Sequence, residues 1–255
     1  MVKKKLECLY EKYNHRQYVH PDPVEFLYNF ALPGDREIVG FLASALAYGR
    51  VRQINNSVSR VLQVMGASPL HFLLHTSWGS FRKLLSGFSH RFATGDNLAA
   101  FLAGVGNLVA EHGSLQAAFL AGYSEHDENV LPALSSFAEA VFAAAPADPE
   151  HLLALPARGS ACKRLNLFLR WMVRQDAVDM GGWSRIPKSH LIIPLDTHMH
   201  RVGLKLGFTK RKQGNMITAL EVTEGFKALT PEDPVRYDFI LTRLGVWGKI
   251  DQSFL

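Results

Sequence analysis

Cysteine is nearly absent, with Cys8 and Cys162 as the two in 255 residues. Separated by most of the chain, they offer neither the disulfide framework of a small secreted domain nor the close spacing of a structural metal site. A reducing cytoplasm is therefore the expected setting, nucleoid-associated if the chain is bacterial. Long apolar runs are missing too, and none approaches the roughly 18 residues that a membrane-crossing helix requires. The basic start at residues 1–5 is followed by Glu7, Glu11 and Lys12, where a signal peptide needs an unbroken apolar stretch. Neither membrane insertion nor export is expected. No strand pair with hairpin turn chemistry, no internal repeat and no low-complexity tail is visible. Charge is only slightly asymmetric. The 28 Lys and Arg outnumber the 23 Asp and Glu, giving +5 and a sequence pI of about 9.2. That excess suits attraction to phosphate, and it is equally common on metabolic enzymes.

What remains reads as helix nearly throughout, punctuated by Pro, Gly and Asp. Helices are expected to open at Pro23 and Asp35, the second repeating apolar residues at Ile38, Phe41, Leu42 and Ala45, and to cover residues 52–65, 98–111, 115–123, 129–144 and 215–227. The expected fold class is all-α. An Ala-rich stretch ending in Pro146-Ala147-Asp148-Pro149 marks a subdomain boundary near 145–150. Residues 1–255 are nevertheless read as one interdependent helical unit, with 155–250 carrying the chemistry.

Two residues stand out chemically. The run Ile192-Ile193-Pro194-Leu195 is apolar and extended, and after Thr197 the positions Met199, Val202 and Leu206 recur at helical spacing until Gly207. Asp196 thus falls at a helix start, where backbone N–H groups and the positive end of the helix dipole favour a fixed carboxylate. The alternative is a cap and nothing more. Upstream, Leu165, Phe168, Leu169 and Met172 share one helical face, and Lys163, Asn166, Arg170 and Arg174 share the opposite edge. Lys163 lies in the first turn. Like charges at Arg164 and Arg170, together with the helix N-terminus, disfavour its ammonium, and a neutral amine is a nucleophile. A merely solvated basic face is the alternative.

Leu195-Asp196-Thr197-His198 followed by Arg201-Val202 resembles the signature of the helix-hairpin-helix DNA glycosylases. The resemblance continues in the helix expected from Pro231-Glu232-Asp233-Pro234 through Tyr237, Ile240, Leu241, Leu244 and Gly245, and in the early apolar helix of residues 38–51. Pro194 and the Lys163-x4-Phe168-Leu169-Arg170 run are most similar to the archaeal-type glycosylase/lyases for 8-oxoguanine. The whole chain also resembles a set of bacterial homologues of unassigned function. The likeness covers residues of about 36–66 and 155–250 and is strongest around Asp196.

The resemblance implies a helix-hairpin-helix glycosylase-like fold and a base-excision repair enzyme that binds double-stranded DNA containing a damaged base, with oxidised guanine as first choice. It implies a monomer with no membrane partner. Lys163 is implied as the Schiff-base lysine and Asp196 as the carboxylate that stabilises the sugar cation. Leu46 or Tyr48 falls where a wedge enters the duplex, and Arg50, Arg158, Gly159, His198 and Arg201 fall near its backbone. A flipped base needs a stacking surface, for which Trp183 is the first candidate and Trp171 and Trp247 the others.

Two departures matter. The hairpin usually has the form Leu-Pro-Gly-Val-Gly, whereas Leu155-Pro156-Ala157-Arg158-Gly159-Ser160 is longer and carries one glycine, so the hairpin is degenerate. The iron–sulfur cluster of many relatives needs four cysteines and is excluded. No cofactor is expected, although a monovalent cation at the hairpin stays open. Two rival readings remain. One is a non-catalytic helical module that binds DNA or senses damage. The other takes Asp196-Thr197-His198-Met199-His200 as a metal-dependent hydrolase motif, in which two histidines two apart on a strand share a metal. Against it, that motif opens its barrel fold, and a helix here would splay the two rings.

Overall fold

The computed structural model describes residues 2–247 and is built mostly of α-helix. The chain divides into two compact units: residues 1–19, 127–130 and 156–255 form the first, and residues 20–126 and 131–155 the second. The chain returns to the first unit at Pro156.

The second unit holds α2 (Pro33–Ala45), α3 (Val51–Met65), α4 (Pro69–His75), α5 (Trp78–Leu84), α6 (Gly95–His112), α7 (Leu115–Leu120) and α8 (Leu131–Ala144). Its centre is α6, apolar on nearly every side, as a helix surrounded by other helices must be. A reciprocal Thr94–Asn97 capping box starts it, and Gly113 in the left-handed conformation ends it. At Gly104 a Cβ would lie 2.8 Å from the Val141 carbonyl oxygen, so this glycine sets how closely α8 approaches. Phe41, Phe101, Phe119 and Phe137 fill the space between α2, α6, α7 and α8. Two short strands, β1 (Ser89–His90) and β2 (Ala93–Thr94), pair antiparallel. This pair forms without the hairpin turn chemistry that the sequence lacks. The turn was hidden from sequence because Arg91, not Gly or Asn, adopts its left-handed φ of 53°. The segment opened by Pro23 is a 3-10 helix to Asn29 rather than an α-helix.

The first unit holds α1 (Val2–Tyr13), α9 (Lys163–Val173), α10 (Thr197–Lys205), α11 (Met216–Lys227) and α12 (Asp238–Val246). α12 begins later than its Pro-rich lead suggests, because residues 231–237 form turns. On α9 the apolar face is as read from sequence, but the polar edge is buried as well. Asn166 is 1%, Arg170 3% and Arg174 2% exposed, so a solvated basic face is excluded. Both guanidiniums are paired with carboxylates through Nε and both terminal nitrogens. Arg170 donates to Asp179 and Asp238, and Arg174 donates to Asp176, Asp179 and Asp233. Asp176 in turn accepts from Val178 N, Asp179 N and the Tyr10 hydroxyl. The network therefore ties α9, the 176–179 turn, α1 and the start of α12 together. Glu7 of α1 adds a second tie, accepting from Arg236 and from the Tyr237 hydroxyl immediately before α12.

A buried charge left without its partner is far costlier than the pair was worth. Replacing Arg174 with Met, which keeps most of the volume, strands Asp233 and leaves Asp179 with Arg170 alone. A loss of about 3–5 kcal/mol of unfolding free energy is expected. Urea denaturation checks it, and a loss below 1 kcal/mol would show that the network is not a structural tie.

Candidate functional site

Three helix beginnings in the first unit carry the candidate chemistry. Lys163 is the first residue of α9, Asp196 caps α10, and Asp238 is the first residue of α12. Asp196 has extended backbone angles, and its Oδ1 accepts the Met199 N–H at 2.8 Å. The capping expected from sequence is thus present, and it engages one carboxylate oxygen. Lys163 and Asp196 are both partly exposed.

Asp238 links them. Its side chain is 3% exposed, Oδ2 accepts from Arg170, and Oδ1 has no hydrogen-bond partner among the described residues. Burial raises its carboxyl to about 6. Arg170 opposes the shift, the Asp196 carboxylate adds to it, and the Lys163 ammonium opposes it. Both sequence-selected charges therefore act on one buried carboxyl. Sequence reasoning missed Asp238. Arg170 is held by Asp179 and Asp238, so it is not the uncompensated like charge beside Lys163 that the sequence implied.

The approach to Lys163 is a one-glycine turn. A 3-10 turn at Pro156–Arg158 leads to Gly159 at φ 76°, and Ser160 Oγ accepts the Cys162 N–H. A Cβ at Gly159 would meet nothing within 4 Å, so the backbone there is open to close approach, and Arg158 is exposed. Cys162 is forced to the left-handed φ of 46° just before α9, a conformation costing about 1–2 kcal/mol. Its thiol is pushed up to about 11 by burial, which removes it as a competing nucleophile.

The remaining sequence candidates divide. His198 seats its ring on α12, where a Cβ on Gly245 would lie 2.7 Å from Nδ1. Arg201 is exposed on α10. Trp183 is 2% exposed and packs edge-on against Phe168, so it is a core residue and offers no free stacking face. Trp171 is fully buried, and Trp247 packs against Tyr13 and Tyr18. In the second unit, Leu46 is 0% exposed and serves the core rather than a wedge. Tyr48 is tethered by its hydroxyl to the His90 carbonyl, whereas Arg50 is exposed at the start of α3. Thr197–Lys205 is helical, so residues two apart point about 200° away from each other. His198 faces Gly245, and His200 donates to the Arg211 carbonyl, so the pair does not share a metal as the hydrolase motif requires. A cleft of about 290 Å³ lined by Lys3, Glu7, Lys188, Thr230, Asp233 and Arg236 lies in this unit, and Lys163, Asp196 and Asp238 do not line it.

Two measurements probe this arrangement. A carboxyl bound more tightly to its proton in the folded state than at its ordinary 3.8 contributes stability fully below about pH 4 and loses it as pH rises through about 6. Urea denaturation between pH 4 and 7 is expected to show wild-type stability falling relative to Asp238→Asn; parallel curves would contradict the assignment. Gly245→Ala pushes a methyl into the His198 ring and is expected to cost about 1–3 kcal/mol by thermal unfolding, an unchanged melt being the contrary result.

No curated protein and no solved structure matches the chain. A family model described as a protein of unknown function, DUF2400, matches residues 22–247. With so much of its length matched, from before α2 to the end of α12, the chain belongs to the DUF2400 family.

Proposed function

We propose that this protein is a DNA glycosylase with associated lyase activity, acting on a damaged base extruded from double-stranded DNA. The observation that supports it best is that the helices begun by Lys163 and Asp196 both meet α12, α9 through the Arg170–Asp238 ion pair and α10 through the His198 ring on Gly245.

In this reaction the damaged base is first turned out of the duplex, which costs a few kcal/mol and is easiest at a weakened pair. As the N-glycosidic bond lengthens, the base departs with the bonding electrons and positive charge grows on the sugar. Asp196, fixed by its cap bond, stabilises that charge where it develops. The Lys163 amine, once deprotonated, attacks C1′; its N–H proton passes to the ring oxygen as the C1′–O4′ bond breaks, and an imine results. Removal of a C2′ proton then expels the 3′-phosphate by β-elimination, and water releases the lysine. Gly159 and Arg158 fit the role of backbone contacts, since both are exposed at the turn before Lys163. Oxidised guanine is the first substrate to examine, with oxidised pyrimidine and alkylated base as comparisons.

Borohydride trapping tests the reading. An adduct with an 8-oxoguanine duplex is expected from wild type and is abolished by Lys163→Ala, while Asp196→Asn slows base release by about 10²–10³-fold. Duplex binding with no adduct and no base release from any of the three lesion classes would instead identify a non-catalytic DNA-binding module.

A further inference from the structure

The turn before Lys163 carries one glycine, and a basic segment ending at Asn215 is bridged to it at Ser160. We propose that the loop of residues 209–215 is a phosphodiester-backbone contact surface for duplex DNA, with Lys210 and Lys212 as its charges. This rests on the reading of the protein as DNA-acting and deepens it by naming a second contact element.

Between residues 196 and 215 the chain carries Arg201, Lys205, Lys210, Arg211 and Lys212 against the single carboxylate Asp196. The segment is pinned at several points. Thr209, 4% exposed, donates to Glu221 and accepts the Arg211 N–H. The Arg211 carbonyl accepts from His200, the Gln213 carbonyl accepts from the Thr218 hydroxyl at 2.6 Å, and Asn215 caps α11 through the Thr218 N–H. Of the three consecutive cations, Arg211 is turned back onto Glu221, whose carboxyl is lowered first by the Thr209 hydroxyl and then by this guanidinium. Lys210 and Lys212 on either side are exposed and have no ion-pair partner among the described residues.

Placement gives the surface its meaning. Asn215 forms an antiparallel backbone bridge with Ser160, so the loop lies beside Arg158, Gly159 and Ser160. Arg158 is exposed, and the space above Gly159 is open. The pinned loop, with its two exposed cations, thus ends against a stretch of exposed backbone one short turn before Lys163. Ammonium groups on a pinned loop lose little backbone entropy on meeting phosphate, and each phosphate neutralised releases condensed counterions. Such contacts position a duplex without reading its sequence.

The test is fluorescence anisotropy with an undamaged 20-base-pair duplex across a salt series, comparing wild type, Lys210→Glu/Lys212→Glu and Lys210→Arg/Lys212→Arg. The charge-reversed protein is expected to bind about tenfold more weakly, with the slope of log K against log salt smaller by about 2, while the arginine variant retains both. Its thermal melt should match wild type, because neither lysine supports the loop's internal bonds. Equal affinity and slope in the reversed variant, or no duplex binding by wild type, overturns the assignment. The two readings fail separately. A normal slope in the reversed variant with Lys163-dependent trapping intact removes the loop and leaves the enzyme, whereas weakened binding without trapping in wild type leaves a DNA-contacting loop on a protein that is not a glycosylase.

Discussion

Two buried arginines one turn apart, Arg170 on α9 and Arg174 at its C-terminal cap, organise the first unit. Arg170 and Arg174 are each inside the protein, and each has its Nε and both terminal nitrogens bonded to carboxylates. Desolvating one guanidinium costs several kcal/mol, and only near-complete hydrogen bonding offsets it. That bonding demands that Asp176 and Asp179 arrive from the turn after α9, and Asp233 and Asp238 from the lead into α12. The network therefore specifies geometry more than it adds stability. It fixes where the chain returns after α9, where α12 begins, and through Tyr10 how α1 docks.

The candidate site inherits its rigidity from this network. Asp238 is at once the end of the chain of ion pairs and the group that feels Lys163 and Asp196. α10 is registered against α12 by the His198 ring on Gly245, a contact that leaves no room for a side chain. Asp196, at the N-cap of α10, is positioned by that packing, and Lys163, at the start of α9, by the same helix that carries the two arginines. Three helix N-termini thus bear three charged groups whose positions are set by buried polar and glycine contacts, not by loops.

Local features were legible in the sequence, and assembled ones were not. The Asp196 cap, the Lys163 helix start, the apolar face of α9 and most helices of the second unit follow from spacing and capping chemistry alone. The burial of Arg170 and Arg174 did not, because a polar edge of Lys, Asn and Arg reads as solvated unless its carboxylate partners are known, and those lie up to 68 residues away in sequence. Asp176 and Asp179, directly after the helix, were the one local hint. Trp183 was misread for a related reason. Its Gly-rich setting looks like a surface loop, yet backbone bonds from Gly181 and Trp183 to α9 fold it inward against Phe168. Leu46 ends a helix whose every late residue is buried, so position near a turn did not mean exposure.

Charge is distributed with a logic that suits the proposed reaction. The buried network sets four carboxylates against two guanidiniums, so it carries a negative excess, and burial raises the carboxyls of both Asp179 and Asp238. Asp196 adds to that excess at the Asp238 end. A reaction that builds positive charge on a sugar gains from carboxylates fixed before substrate arrives, because nothing then has to reorganise as the charge appears. The proposed substrate is a polyanion that such a site would repel. The exposed cations of the same unit, Arg158, Arg201, Lys210 and Lys212, supply the opposite sign at the surface, where attraction to phosphate acts over a Debye length and is weakened by salt. Screening falls on the surface charges and largely spares the buried ones, so salt would separate capture of the duplex from the chemistry that follows.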